Sequence, residues 1–204
     1  MLVRNEDFLC EMIKQFWLNW SDKQYWHNYS VGYYEFLKNR NINNLLEVGI
    51  LGGSSIRTWS KLFPDASIYG VDINPASMID EPGSNIRTDL VDQSSVESLN
   101  DYISKVQTKF DLIIDDGSHI FAHAKTSFDV LFNRLEDDGI YIIEDISSVY
   151  AEIDGPGWRL PQQLISDWSN YLSTFDGIEY KFIDCHYGNP NYPASWMVGI
   201  TKKK

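Results

Sequence analysis

The chain has 204 residues, 43% of them apolar and 23% charged, which suits one ordinary globular domain and excludes a disordered, collagenous or coiled-coil polypeptide. Acidic residues outnumber basic ones by 29 to 17, a formal charge of -12, so general binding to DNA or RNA is disfavoured. Apolar runs fall short of the ~20 residues of a membrane helix, residues 1–7 lack a signal-peptide pattern, and Cys10 and Cys185 lie far apart rather than in a C-x-x-C pair. A cytoplasmic protein with neither a nucleic-acid nor a membrane partner is expected.

In chain order, Phe8, Leu9, Met12, Ile13, Phe16 and Trp17 fall at helical spacing. They predict an amphipathic helix over residues 6–20, broken by Ser21-Asp22-Lys23. A second helix is predicted over 31–39, ended by an Asn-rich stretch. Strands and helices then alternate. Strands are predicted at 45–48, 67–71, 85–88, 110–114 and 139–143, and helices at 55–62, 96–106, 122–135 and 161–172. Two last strands, 180–185 and 196–201, follow one another without a helix. This pattern predicts an α/β fold: a Rossmann-like, doubly wound, mostly parallel sheet with a C-terminal antiparallel hairpin. One domain spans 1–204, with an N-terminal helical segment at 1–43 and the Rossmann-like core at 44–204.

In such sheets ligands gather beyond the carboxyl ends of the strands. The first strand runs into Glu47, Val48, Gly49, Ile50, Leu51, Gly52, Gly53 and Ser54, a turn whose glycines let the backbone bend sharply and approach a ligand. G-x-x-G-G departs from the G-x-G-x-x-G fingerprint and speaks against NAD. Asp72 closes the second strand, where a carboxylate can accept both hydroxyls of a ribose. Asp92 and Gln93 precede the next helix and are placed to read an adenine edge. Each signal alone is common. In order, on the right elements, and with no Lys or Arg in the glycine turn to hold phosphate, they point to an adenosine ligand without phosphates, which S-adenosylmethionine fits.

The fourth strand ends Asp115-Asp116-Gly117-Ser118-His119 and the fifth ends Glu144-Asp145. If the two are neighbours, Asp116, Glu144 and Asp145 converge and repel unless a cation lies between them, and oxygen ligands suit Mg²⁺, with Mn²⁺ or Ca²⁺ as alternatives. His119 stays off the metal as general base for an acceptor hydroxyl. His123 reads as a supporting or packing histidine, and His186 as structural. The aromatic N-terminal segment has two readings. Phe16, Trp17 and Trp20 pack on the sheet, while residues 22–30 form a lid whose Tyr25, Trp26 and His27 stack on a sugar.

The segments Leu45-Leu-Glu-Val-Gly-Ile-Leu-Gly-Gly-Ser54, Ile68-Tyr-Gly-Val-Asp-Ile73, Asp92-Gln-Ser94, Phe110-Asp-Leu-Ile-Ile-Asp-Asp-Gly-Ser-His119 and Gly139-Ile-Tyr-Ile-Ile-Glu-Asp145 together resemble class I S-adenosylmethionine-dependent O-methyltransferases. Most similar are the metal-dependent macrolide-sugar enzymes of the mycinamicin type, with the cephalosporin hydroxylase and rhamnosyl O-methyltransferase families close by. Ser21-Asp-Lys23 followed by His27-x-Tyr29 matches a segment those enzymes carry before the first strand. The resemblance covers about residues 21–150. A further N-terminal domain of the macrolide enzymes lies outside it.

It implies Mg²⁺ on Asp116, Glu144 and Asp145, with His119 as base. It implies Asp72 on the ribose, Glu47 and Gly49 beside the methionine part, and Asp92-Gln93 by the adenine. Gly52, Gly53, Ser54 and Asp115 join the cofactor-binding group, and Tyr25, Trp26, His27, Tyr29 and Tyr150 the acceptor side. The stretch after Asp145 diverges in detail and reads as an acceptor-facing loop. The expected activity is methyl transfer to a hydroxyl of a sugar or glycosylated small molecule, by a homo-oligomer. The alternatives are an iron-dependent hydroxylase, which the carboxylate-rich cluster suits poorly, and a non-catalytic subunit that binds the adenosyl ligand.

Overall fold

A computed structural model describes residues 6–79, 81–146, 161–185 and 195–203. Its strands are β1 (Asn44–Val48), β2 (Ser67–Asp72), β3 (Ile86–Leu90), β4 (Phe110–Asp115), β5 (Leu135–Ile143), β6 (Ile178–Asp184) and β7 (Trp196–Lys202). The helices are α1 (Glu6–Leu18), α2 (Asp22–Tyr25), α3 (Tyr29–Leu37), α4 (Ser54–Leu62), α5 (Val96–Val106), α6 (Phe121–Leu131) and α7 (Pro161–Leu172).

The strands form one sheet in the order β3-β2-β1-β4-β5-β7-β6. β1 to β5 pair in parallel, whereas β7 runs antiparallel to both β5 and β6. This is the class I methyltransferase fold, with the switch point between β1 and β4, where the winding reverses. β6 and β7 form the antiparallel pair at the far edge, which strands close in sequence can adopt and parallel strands cannot.

Side chains alternate along each strand, so the sheet divides its residues between two cores. Leu46, Val48, Ile113, Tyr141 and Ile143 face α5, α6 and α7, where Leu99, Phe128 and Trp168 are buried. Leu45, Leu112, Ile114, Ile140 and Ile142 face the N-terminal helices and α4. Trp59 anchors that second core, with Phe16 edge-on at 5.1 Å and Tyr33 at 4.8 Å between ring centroids. Aromatic pairs of this kind contribute about 0.5–1.5 kcal/mol each beyond the area they bury. They pin α1 and α3 against α4.

Boundaries shift from the sequence expectation for local reasons. α1 stops at Leu18 because Trp20 takes a left-handed backbone (φ 56). Ser21 N then donates to Phe16 O at 3.0 Å and Trp20 N to Trp17 O at 3.2 Å, a Schellman closure. Ser21-Asp22-Lys23 therefore does more than break a helix: the chain turns back and Asp22 opens α2. α3 starts at Tyr29, earlier than expected, behind a left-handed Asn28 (φ 53). β5 reaches back to Leu135 through an irregularity in its pairing with β4, where a helix end is expected. Trp17 and Trp20 are exposed, so of the expected packing aromatics only Phe16 is buried.

Candidate active site

The period-2 alternation of β1, β4 and β5 decides where the acids go. Leu45 and Glu47 share a face of β1; Leu112 and Ile114 lead to Asp116, and Ile140 and Ile142 to Glu144, on the same side. Glu47, Ile114 and Ile142 lie at one level of the sheet, so Asp116 and Glu144 stand one step above Glu47. Glu47 and Glu144 are both buried.

One cation meets all three. Lys23, on α2, is only 1% exposed, and its Nζ lies 2.5 Å from Asp116 Oδ2, 2.8 Å from both Glu144 oxygens and 3.3 Å from Glu47 Oε1. Burial alone would drive the proton off Lys23, but Asp116 and Glu144 outweigh it, and its pKa stands well above the ordinary range. Burial likewise pushes Glu47 up to about 7 and Glu144 up to about 7, with Lys23 opposing it in both cases. Tyr33 donates a further short hydrogen bond to Glu144 Oε1. Neither oxygen of Glu47 makes a well-formed hydrogen bond among the described residues.

The other oxygen of Asp116 faces a second group. His119 Nδ1 lies 4.0 Å from Asp116 Oδ1, and His119 Nε2 lies 3.7 Å from Asp145 Oδ2. Suitable ligand atoms of Asp116, His119 and Asp145 all fall within 4.8 Å of one another, a spacing that fits a metal ion. Asp145 is aimed by Tyr29, whose hydroxyl donates to Asp145 Oδ1 at 2.5 Å and accepts from Asp145 N at 3.2 Å. His27 stacks on Tyr29 at 5.0 Å, with Nδ1 3.7 Å from Asp145 Oδ1. His119 (φ 58) and Asp145 (φ 50) both hold left-handed backbones, and strain of this kind gathers at functional sites.

Of the expected metal ligands, then, Asp116 and Asp145 meet beside His119, while the oxygens of Glu144 are engaged by Lys23 and Tyr33. Tyr25 and Trp26 lie exposed on the rim of α2, edge-to-face at 4.9 Å. Tyr29 is wholly buried, so it offers no face to a sugar and acts on Asp145 instead. Tyr150 and His186 lie outside the described residues, as does all but the first residue of the expected acceptor loop.

The cofactor-side residues sort in the same way. Gly49 (φ 83) is required twice: its backbone is left-handed, and a Cβ there would overlap the carbonyl of Asp116 and the Cα of Gly117. Gly53 is also left-handed (φ 81) and opens α4 at Ser54, whereas Gly52 is exposed with open space around it. Asp72 Oδ2 accepts from Ile50 N at 3.0 Å and Leu51 N at 2.9 Å, so the carboxylate at the end of β2 shapes the glycine turn itself. Asp92 Oδ1 caps the next turn through Ser94 N and Oγ at 2.8 and 2.6 Å.

Gln93 is turned inward: Nε2 donates to Asp115 Oδ1 at 3.0 Å and Ser127 Oγ at 3.1 Å, and Oε1 accepts from Ser118 N at 2.5 Å. All three contacts are within the protein, so the amide clamps the D-D-G-S-H turn. Asp115 is buried on the opposite face from Asp116, where burial pushes it up to about 6 against the bond from Gln93. His123 Nδ1 pairs with Ser118 Oγ at 2.9 Å, in keeping with a supporting histidine.

Lys23 and Tyr33 are the residues that sequence reasoning missed. The available signal was a lysine in an aromatic segment that resembles a known motif.

Comparison with known proteins agrees with this geometry. A family described as a methyltransferase domain matches residues 46–146. The mycinamicin VI 2''-O-methyltransferase of Micromonospora griseorubida is 40% identical over 165 residues, covering 76% of this chain and 40% of that protein. The 8-demethyl-8-alpha-L-rhamnosyl tetracenomycin-C 2'-O-methyltransferase of Streptomyces olivaceus is 32% identical over 194 residues, 88% of this chain and 48% of that one. The MycE methyltransferase of the mycinamycin pathway, solved with Mg, SAH and mycinamycin VI, superposes with a TM-score of 0.71 at 27% identity, covering 95% of this chain and 54% of that one. The chain thus spans about half the length of the relatives it matches, and none of these relatives supports the iron-hydroxylase alternative.

Proposed function

We propose that this chain, whose residues 46–146 match a methyltransferase domain, is an S-adenosylmethionine- and Mg²⁺-dependent O-methyltransferase acting on a hydroxyl of a sugar or glycoside. The observation that carries this reading is the meeting of Asp116, His119 and Asp145 at the carboxyl ends of β4 and β5, beside the glycine turn. The turn after β1, shaped by Gly49 and Asp72, suits the adenosyl ligand, with Asp72 on the ribose and Glu47 toward the methionine part. S-adenosylmethionine supplies an electrophilic methyl group. Asp116 and Asp145 would hold Mg²⁺, with Glu144 completing the acidic set, and a bound cation there lowers the pKa of an acceptor hydroxyl and orients it.

The chain's own residues do the rest. His119 takes the hydroxyl proton as the acceptor oxygen takes the methyl group and the carbon–sulfur bond breaks. Asp116 and Asp145, on either side of the imidazole, stabilise the imidazolium that results. Tyr29 keeps Asp145 in place. Tyr25 and Trp26 form the rim on which an acceptor packs, the exposed part of a segment that the buried Lys23 and Tyr29 anchor. A homo-oligomer remains part of this reading. No helix among the described residues is long and apolar enough to cross a membrane.

The test is methyl transfer from labelled S-adenosylmethionine to a panel of deoxysugar glycosides. The expected result is incorporation that chelation abolishes and Mg²⁺ restores. Transfer indifferent to chelation would refute the metal's role, and cofactor binding with no transfer to any hydroxylated acceptor would leave the binding-subunit reading in its place.

A further inference from the structure

We infer that Lys23 is the resident cation of the carboxylate cluster and that its ammonium group limits how tightly a divalent metal is held there. The inference rests on the metal reading given above.

A lysine so deeply buried is rare, and this one has no apolar purpose: its Nζ reaches Asp116 Oδ2 at 2.5 Å, both Glu144 oxygens at 2.8 Å and Glu47 Oε1 at 3.3 Å. Alternation along three adjacent strands forces those carboxylates onto one face, where they repel one another unless a cation intervenes. The Schellman closure at Trp20 delivers that cation from outside the sheet.

Asp116 is therefore shared. One oxygen is bound to Lys23, and the other faces the side where Asp145 lies beside His119, on which the metal would be held by the two aspartates. A divalent ion on that side lies one carboxylate away from a fixed positive charge. It is repelled by the ammonium, and it draws on a carboxylate whose charge is already engaged. Any use of Glu144 as a ligand would have to take oxygens directly from Lys23. Either way, Lys23 weakens the metal. In exchange it keeps Asp116, Glu144 and the N-terminal segment in register when the metal leaves, a positioning role.

Lys23→Gln removes the charge and keeps a donor, and Lys23→Arg keeps the charge. Mn²⁺ titration of the full chain by electron paramagnetic resonance reads metal affinity without turnover. Lys23→Gln should bind Mn²⁺ at least about tenfold more tightly than the parent, with Lys23→Arg close to the parent. A lysine that served only the fold would give the opposite sign, since a loosened Asp116 weakens binding.

Thermal unfolding of the same proteins covers a variant that is unstable alone. Mn²⁺ should raise the midpoint of Lys23→Gln by more than that of the parent, because tighter binding to the native state stabilises it more. Equal or weaker Mn²⁺ binding by Lys23→Gln, or a variant that stays unfolded in Mn²⁺ while the parent binds it, overturns the inference alone. Failure of the parent and both variants to bind any Mn²⁺ overturns the metal reading, and this inference with it.

Discussion

The inward-turned amide of Gln93 gives a prediction that separates two readings of one residue. A glutamine placed before a helix at the end of β3 reads in sequence as an adenine contact. In the structure its three hydrogen bonds join Asp115, Ser127 and Ser118, across 22, 34 and 25 residues of chain. Gln93→Leu keeps the approximate volume and removes all three. The bond to the Asp115 carboxylate is worth about 1.5–3 kcal/mol and the other two about 1 kcal/mol each. Leucine offsets part of that by apolar burial, roughly 1–2 kcal/mol. A net loss of about 2–3 kcal/mol is expected, read in urea as a lower midpoint with an unchanged slope. Affinity for S-adenosylmethionine, by calorimetry, should change much less than stability. A variant as stable as the parent that loses the cofactor tenfold or more would refute the clamp and restore the adenine contact.

Four other outcomes follow from the same geometry. His119→Ala should keep Mn²⁺ and S-adenosylmethionine binding but lose turnover by roughly 10²-fold or more; loss of the metal would make His119 a ligand and place the base elsewhere. Tyr29→Phe removes the hydroxyl that both donates to and accepts from Asp145, and should cost about 2 kcal/mol in urea unfolding; no loss would mean that Asp145 is held by the backbone alone. Asp72→Ala should weaken S-adenosylmethionine at least tenfold by calorimetry, about 1.4 kcal/mol, with the glycine turn loosened as well. Asp115 has a folded pKa of about 6 against an ordinary 3.8, so the folded state holds a proton that the unfolded chain releases; its contribution is complete below the unfolded value and is lost as pH rises through about 6. Asp115→Asn should therefore become more stable relative to the parent between pH 4 and pH 7, by roughly 2–3 kcal/mol at most, and a pH-independent difference in denaturation midpoints would show that Asp115 carries no such shift.

Much of the fold was legible because it depends on short-range pattern. Strands alternating with helices fix a parallel sheet, and a pair of strands without a crossover fixes the antiparallel edge. That Asp116 and Asp145 follow the ends of neighbouring strands was legible for the same reason. Lys23 was not. Its burial depends on a left-handed Trp20, where glycine or asparagine is the usual signal, and a lysine after Ser-Asp reads as a solvated turn. The inward direction of Gln93 and Tyr29 was equally hidden, since their partners lie 22 to 116 residues away in the chain.

The doubled acids show why residue type alone could not assign roles. Asp115 and Asp116 are adjacent, yet alternation sends the first into the core under α6, against Gln93 and Tyr141, and the second to the face of Lys23 and His119. The pair Glu144-Asp145 would divide likewise, but Asp145 takes a left-handed backbone and Tyr29 grips its carboxylate. Its side chain then meets His119 instead of following the strand's alternation. His119 is left-handed too, so the two groups spaced for chemistry both sit in conformations that cost an ordinary residue about 1 kcal/mol or more. That cost is sustained by the buried ion pairs of Lys23 and the hydroxyl of Tyr29. The N-terminal segment, which is sequence-distant from every strand end, therefore shapes the candidate site as much as the strands do.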